Sequence, residues 1–532
     1  MQNPSLLKKN DFDVSLPSID RLENKAHRLF QYGQNAKEII RVSPFVINGP
    51  IDQNWFHNTL ISLQEQSEER IPWELYRKRL SLIESTGFTE EPTSLTRLES
   101  PKKDAKSWNS NYGPHGWHRY VGRFPPHLVR ALLNHFQATQ NDIVLDPFVG
   151  SGTTLVECRL LGIPSIGIEI CPLSSLIART KSKFPMNTDS VSHIPEQLSF
   201  FYSERLSSFL RGRLINEIPY EDILSRPGNL ISAFPNYQNW FTRDALLGVS
   251  IVTEFAATQQ QYARDIILIA LSSKMRSIGN VDVDVVRAEY SKKPKENVDV
   301  LQIVIRQLSK MLKSIQDSLV THRDTLVNEH SVSLLERDVL EVDLPEASVS
   351  HVITSPPYGV EAISYLRTHL LSYRTLEQFL ETDPYEFGQH VIGSEYLPKN
   401  PPHVEDFLVS NNSQTYRSFF SQTLGATLSS KHHIRTLMMM KFFEDMNMVA
   451  SKLRFWMRSN GRVAFVIGNK KIGDTIIPND IIMKEIFEAN GFVFDNAIRH
   501  KLKTNNSNSQ VPWQERVIQE EYIMLFHRRS SR

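Results

Sequence analysis

Two short segments of this chain combine residue types that could do chemistry. The first reads Asp146-Pro147-Phe148-Val149-Gly150-Ser151-Gly152-Thr153-Thr154. Glycines let a backbone turn tightly and approach a ligand without a Cβ clash. A helix beginning beyond them offers free N–H groups, and Thr153 and Thr154 are of the type that caps a helix. Asp146, at the end of an apolar stretch, can accept a hydrogen bond from an ammonium group. Glu169 follows 23 positions later at the end of a second apolar stretch, where a carboxylate takes the two hydroxyls of a ribose. The set reads as a cradle for an adenosine-bearing cofactor. A nucleoside triphosphate loop is the rival, but Gly-Ser-Gly-Thr-Thr lacks the lysine such a loop places before its threonine. A glycine turn with no ligand is the plainer alternative, and the carboxylate at 169 argues against it.

The second segment is Thr354-Ser355-Pro356-Pro357-Tyr358-Gly359. An exocyclic amino nitrogen on a base is a poor nucleophile, because its lone pair is conjugated into the ring. Accepting hydrogen bonds from both of its N–H groups returns electron density to the nitrogen. The Ser355 hydroxyl oxygen and the Pro356 carbonyl suit that task, and two prolines stiffen the segment so that the acceptors are aimed in advance. The Tyr358 ring can stack on a base that has left its duplex. Asp338, at the end of the preceding strand, can accept from an adenine amino group. Together the segments point to methyl transfer from S-adenosylmethionine to a base nitrogen, a reaction that depends on proximity and orientation.

Alternating elements must position these residues. Strands are expected at 142–146, 165–170, 333–338, 349–354, 461–468, 492–498 and 521–527, with helices at 153–161, 172–181 and 479–490. Strands alternating with helices imply a parallel sheet with right-handed crossovers. Between about 184 and 324 the alternation stops. Helical spacing there places amphipathic helices at 243–258, 262–276 and 302–319, which reads as an insertion. Residues 1–110 are polar and partly helical, and a polar loop spans 503–514. The expected organisation is an α/β seven-stranded, Rossmann-like sheet in two halves, 111–185 for the cofactor and 331–532 for catalysis. A largely helical insertion occupies 186–330, and an N-terminal helical extension occupies 1–110.

Composition narrows the class. The chain has 532 residues, 40% hydrophobic and 22% charged, enough apolar material for a large core. A formal net charge of +1 neither supports nor excludes nucleic acid, since a basic face can be balanced elsewhere. Cys158 and Cys171 are the two cysteines, too few for a disulfide scaffold or a four-cysteine zinc site; a cytoplasmic setting is expected. Neither cysteine lies near the second segment, which argues against methylation at cytosine C5 through a cysteine nucleophile. No apolar run reaches the length of a membrane span, and no secretory signal is read at the N-terminus.

At the level of motifs the chain resembles the amino-directed DNA methyltransferases, which modify cytosine N4 or adenine N6. Asp-Pro-Phe-x-Gly-Ser-Gly-Thr-Thr is similar to that family's cofactor motif and Ser-Pro-Pro-Tyr to its catalytic motif, the serine form being commoner in the cytosine N4 branch. The stretch 117–126, Trp-His-Arg-Tyr-Val-Gly-Arg-Phe-Pro-Pro, resembles the segment that packs over the methionine end of the cofactor. The resemblance covers roughly 111–185 and 331–532. It implies that Phe124, Asp146, Phe148, Gly150, Gly152, Thr153, Glu169 and Asp338 hold S-adenosylmethionine. It also implies that Ser355, Pro356, Pro357 and Tyr358 hold the target base, with double-stranded DNA as partner and no metal. A cognate restriction endonuclease acting on the same site is a further implied partner.

Base flipping needs a surface for the DNA backbone. Basic positions for it are Lys274, Arg276, Arg287, Lys292, Lys293 and Lys295, with Tyr237, Trp240, Phe241 and Tyr290 as aromatic neighbours; a solvated helical face with core aromatics is the plainer reading. The segment 393–416, with Asn411, Asn412 and Gln414, is a second candidate. Cytosine N4 is the expected target and adenine N6 the near alternative. An RNA guanine-N2 methyltransferase and a non-catalytic nucleic-acid-binding protein with a relict cofactor fold are the more distant ones.

Overall fold

The computed structural model describes residues 111–530, except 121, 283–287, 292, 323–325, 327–330, 360–367, 381–387, 389, 395–418, 473–474 and 502–519. The expected N-terminal extension, the polar loop at 503–514, Arg287, Lys292, Asn411, Asn412 and Gln414 therefore lie outside the described residues. Two compact units are present. The described part of one is Pro125–Thr139, mostly the helix Pro126–Phe136, whose positions Leu128, Val129, Leu132 and Leu133 form a buried stripe at helical spacing. Asn111–Phe124 and the chain from Gln140 onward form the other, which contains both motifs.

A seven-stranded sheet organises that second unit. Its strands are β1 (Val144–Asp146), β2 (Ser165–Ile168), β3 (Val332–Leu335), β4 (Val349–Thr354), β5 (Met457–Gly468), β6 (Phe492–Lys501) and β7 (Glu520–Arg528). Their spatial order is β3-β2-β1-β4-β5-β7-β6, with β7 antiparallel to both of its neighbours and the other pairs parallel. This is a Rossmann-like α/β architecture. Strands buried on both faces read as near-continuous apolar runs, and Val144, Leu145, Val352, Ile353, Val463 and Ile467 are all fully buried. From β1 the chain builds outward through β2 to β3, then returns to place β4 on the other side of β1. That reversal opens a crevice at the carboxyl ends of β1 and β4, where α/β sheets bind ligands. Both motifs begin there.

Helices α1 (Thr153–Leu160) and α2 (Pro172–Ser182) follow β1 and β2. Pro172 occupies the first turn of α2, where its missing N–H costs nothing. The helical block comprises α3 (Ile194–Leu210), α4 (Arg243–Ala257), α5 (Gln261–Ile278) and α6 (Val300–Thr321), and α7 (Leu370–Leu380) joins it. It shares one apolar core with α1 and α2, including Val156, Leu176, Ile177, Ile266 and Leu376. A second core joins β1, β4, β5 and β7 to α8 (Phe419–Trp456) and α9 (Asn479–Ala489) through Leu145, Val352, Phe465, Phe487 and Phe526. Sequence reasoning found α4, α5, α6 and α9 within two residues at each end; α3, α7 and α8 went unread.

Candidate active site

The crevice is closed by one hydrogen bond between the motifs. Parallel pairing sets Leu145 beside Val352, so the next residues of β1 and β4 emerge together. Thr354, the last residue of β4, donates through Oγ1 to Asp146 Oδ1 at 2.7 Å. Asp146 Oδ1 also accepts the Phe148 N–H at 3.1 Å, and Oδ2 accepts Thr154 Oγ1 at 2.6 Å. Within the protein, the carboxylate clasps its own loop to the neighbouring strand. Burial pushes its pKa up to about 6, opposed by the two threonine hydroxyls and the Phe148 N–H.

The capping expectation is corrected. Gly152, not a threonine, is the N-cap of α1, with φ +86° and no side-chain cap; Thr153 is buried inside the first turn, and Thr154 is turned to Asp146. A Cβ at Gly152 would lie 2.8 Å from the Ala178 Cα in α2, so glycine is needed for close packing as well as for the turn. Gly150 also has positive φ, +51°, and faces the Tyr120 ring, 3.7 Å from where a Cβ would sit.

Glu169, just past β2, is partly exposed and held from two sides. Its Oε2 accepts the Gly150 N–H at 2.7 Å and its Oε1 the Cys171 N–H at 2.8 Å. Burial raises its pKa to about 7, against the pull of those N–H groups. A carboxylate has about four acceptor positions, so capacity remains for a further donor such as a ribose hydroxyl. Asp338 lies beyond the end of β3, which stops at Leu335, rather than at the strand end. Its Oδ1 accepts the Leu340 N–H at 2.9 Å, closing a turn, and burial raises its pKa. Phe148 is half-buried against the core on the α8 and α9 face, whereas Phe124 is buried.

The segment 117–120 runs between the helical block and the glycine loop. Trp117 donates through Nε1 to Ser314 Oγ at 3.0 Å, and its carbonyl accepts from Gln307 Nε2 at 2.7 Å, both partners lying on α6. His118 Nε2 pairs with Ser272 Oγ of α5 at 2.9 Å, and Tyr120 with Ser174 of α2 at 2.7 Å. Tyr120 stacks on His369, whose Nε2 is buried without a partner among the described residues. Burial, with the charges of Arg276 and Arg119, lowers the His369 pKa to about 4.

In the second motif Ser355, Pro357 and Tyr358 are partly exposed and Pro356 is buried. Ser355 Oγ lies 3.2 Å from the Tyr358 hydroxyl, which donates to Glu521 Oε1 of β7 at 2.8 Å. Asn479, at the start of α9, donates through Nδ2 to the carbonyls of Tyr358 (3.3 Å) and Gly468 (2.9 Å). Sequence reasoning missed Thr354, Asn479 and Glu521 as site residues. The register of β4 on β1 would have pointed to Thr354, but no local signal marks the other two.

The basic and aromatic candidates separate. Trp240 and Phe241 are core residues, while Tyr290 is exposed and packs on Trp240 at 4.1 Å between centroids. Lys295 donates through Nζ to the carbonyls of Arg276 and Gly279, closing the end of α5. Arg276 donates to the Asp282 carbonyl. Lys274 remains partly exposed beside Lys310 of α6. Cys158 and Cys171 are buried and reduced, and Cys171 contacts the Tyr373 hydroxyl. Among the described residues no group of acids, histidines and cysteines could hold a metal, and no helix is long and apolar enough to cross a membrane.

Comparison with known proteins finds similarity to methyltransferases. A DNA methylase family model, joining N6 and N4 enzymes, matches residues 13–174. The Type II methyltransferase M.BsoBI of Geobacillus stearothermophilus is 24% identical over 79% of this chain and 86% of its own. Type II methyltransferase M.MvaI of Kocuria varians is 23% identical over 70% of this chain and 81% of its own. A tRNA (guanine(10)-N2)-dimethyltransferase of Methanocaldococcus jannaschii is 32% identical, but over only 17% of this chain and 24% of its own. The chain thus shares a DNA methylase family match over residues 13–174 and is similar over most of its length to Type II methyltransferases, which depend on S-adenosylmethionine.

Proposed function

We propose that the chain is a site-specific DNA methyltransferase acting on the N4 amino group of cytosine in duplex DNA, after the base has been flipped out. The observation that carries this is the 2.7 Å bond from Thr354 to Asp146, which joins the glycine loop to the Ser-Pro-Pro-Tyr loop in one crevice. The residues fit the cofactor: Gly150 and Gly152, both at positive φ, turn the loop tightly at the end of β1, and Glu169 keeps acceptor capacity at the tip of β2. When bound, S-adenosylmethionine would supply an electrophilic methyl on sulfonium sulfur for the amino nitrogen, leaving a neutral thioether, with the displaced amino proton passing to water.

In this reading Ser355 Oγ and the Pro356 carbonyl accept the two amino N–H groups, and the Tyr358 ring stacks on the base. Glu169 takes the ribose, Gly150, Gly152 and Thr153 line the cradle, and Phe124, Phe148, Asp146 and Asp338 shape or support it. The domain roles follow: 111–185 for cofactor, 186–330 for recognition, 331–532 for catalysis, and 1–110 unassigned. The cell interior would be its setting and a nuclease of the same specificity its partner, as the Type II relatives' names suggest. Serine at 355 favours cytosine N4 over adenine N6. The test is incubation with labelled S-adenosylmethionine and unmethylated genomic DNA, followed by nucleoside analysis. Label on N4-methylcytosine is expected. Label on N6-methyladenine would move the assignment to that base, and label on tRNA alone would overturn it.

A further inference from the structure

We propose that Glu521 is a positioning residue that keeps the Ser355 oxygen available as a hydrogen-bond acceptor, acting through Tyr358. The inference rests on the reading of Ser355 as the acceptor for the base amino group. A hydroxyl carries one proton and can either donate or accept at a given contact. If the Tyr358 hydroxyl donated to Ser355, its proton would cover a lone pair that the amino group needs. A carboxylate only accepts, so Glu521 Oε1 at 2.8 Å claims the Tyr358 proton. The proton in the 3.2 Å contact between Tyr358 and Ser355 must then come from Ser355. Ser355 thus donates toward Tyr358 and leaves its lone pairs for the substrate. A distance of 3.2 Å is long for O–H···O, as catalytic contacts commonly are before substrate arrives.

The supporting frame is independent of Glu521. Asn479 holds the Tyr358 carbonyl, and the two prolines stiffen the chain before it. Gly393 backs the loop so closely that a Cβ there would lie 2.8 Å from the Gly359 carbonyl oxygen. Glu521 itself is fixed in the sheet, paired with Gly468 of β5 on one side and His500 of β6 on the other. Removing its carboxylate should therefore change where the protons point more than where the ring lies.

The test is a double-mutant cycle on the full chain, with labelled S-adenosylmethionine and unmethylated genomic DNA. Glu521→Ala and Tyr358→Phe should each lower kcat about tenfold, the worth of one hydrogen bond, with cofactor Kd nearly unchanged. The double variant should be no slower than Tyr358→Phe, because Glu521 acts only through that hydroxyl. Glu521→Gln, whose amide oxygen still accepts, should recover most of the rate. If Glu521→Ala does not fold, Glu521→Met fills the space without an acceptor and takes its place. Wild-type turnover in Glu521→Ala, single costs that multiply in the double variant, or a Gln variant as slow as Ala would each overturn the proposal. A wild-type enzyme that labels no DNA would instead overturn the reading on which it rests.

Discussion

The two loops that meet at the crevice are secured in opposite ways. The glycine loop is tied by its own stretch of chain: Asp146 to residues 2 and 8 positions on, and Glu169 to residues 19 positions back and 2 on. The catalytic loop is tied from far away, Tyr358 to Glu521 across 163 positions and its carbonyl to Asn479 across 121. The first is therefore a local object that any chain with those residues in a β–loop–α–β context would build. The second exists only once the C-terminal half of the sheet has assembled. The Thr354–Asp146 bond is where the two regimes join.

Substitutions can sharpen this contrast. The largest effect should come from Ser355→Ala. If the hydroxyl supports only the reacting group, kcat should fall by about 10²–10³-fold, as when one preorganised hydrogen-bonding group is lost, while cofactor affinity stays near wild type. Loss of cofactor binding with the rate would show that the catalytic loop is not separable from the cradle. Next, Gly152→Ala should damage the local loop itself. The alanine would carry φ +86° and press on the Ala178 backbone, costing about 1–3 kcal/mol, visible as a lower Tm. An unchanged Tm would mean that the glycine is dispensable for packing.

The same contrast explains what could be read in advance. All seven strands of the sheet were legible, because buried parallel strands are apolar runs such as 142–146 and 349–354 bounded by turn residues. The glycine loop and its tie to Glu169 are legible because Gly150, Gly152 and Glu169 are close in sequence. Asp146 stands out in the sequence, but its bond to Thr354 does not, since nothing local says that Thr354 will lie beside it. Thr153 and Thr154 were read as caps because their type favours it; close packing of α1 on α2 put a glycine there instead. Glu521 begins an apolar strand and looks like a solvated end charge. Only the strand order β5-β7-β6 brings it to Tyr358.

A smaller effect concerns the carboxylate that the local loop holds. Glu169→Ala should weaken cofactor binding about tenfold, or 1.4 kcal/mol, with little change in kcat at saturating cofactor. Its protonation adds a sign. With a pKa raised to about 7, the folded protein binds this proton more tightly than the unfolded chain does. The stability contributed is therefore present in acid and lost as pH rises through about 7. Ribose hydroxyls donate to the ionised form, so cofactor binding should release a fraction of a proton at pH 6.5 and tighten toward higher pH. Calorimetry in buffers of different ionisation enthalpy measures that release, which Glu169→Gln should abolish. Uptake of a proton would remove Glu169 from the ribose.

The smallest effect tests whether the helical block meets the DNA backbone. Lys274 on α5 lies near Lys310 on α6; burial and then the Lys310 charge lower the Lys274 pKa, with no carboxylate opposing them. A phosphate would relieve that repulsion. Lys295 is spent on the carbonyls at the end of α5. Replacing Lys274 or Lys310 by alanine should therefore reduce the slope of log affinity against log salt by about 0.9 each, the release of one counterion, with kcat unaltered. Lys295→Ala should leave that slope alone and lower thermal stability instead. The reverse pattern, a slope that follows Lys295 and ignores the other two, would mean that DNA reaches the α5 terminus itself and that the hydrogen bonds seen there give way when it does.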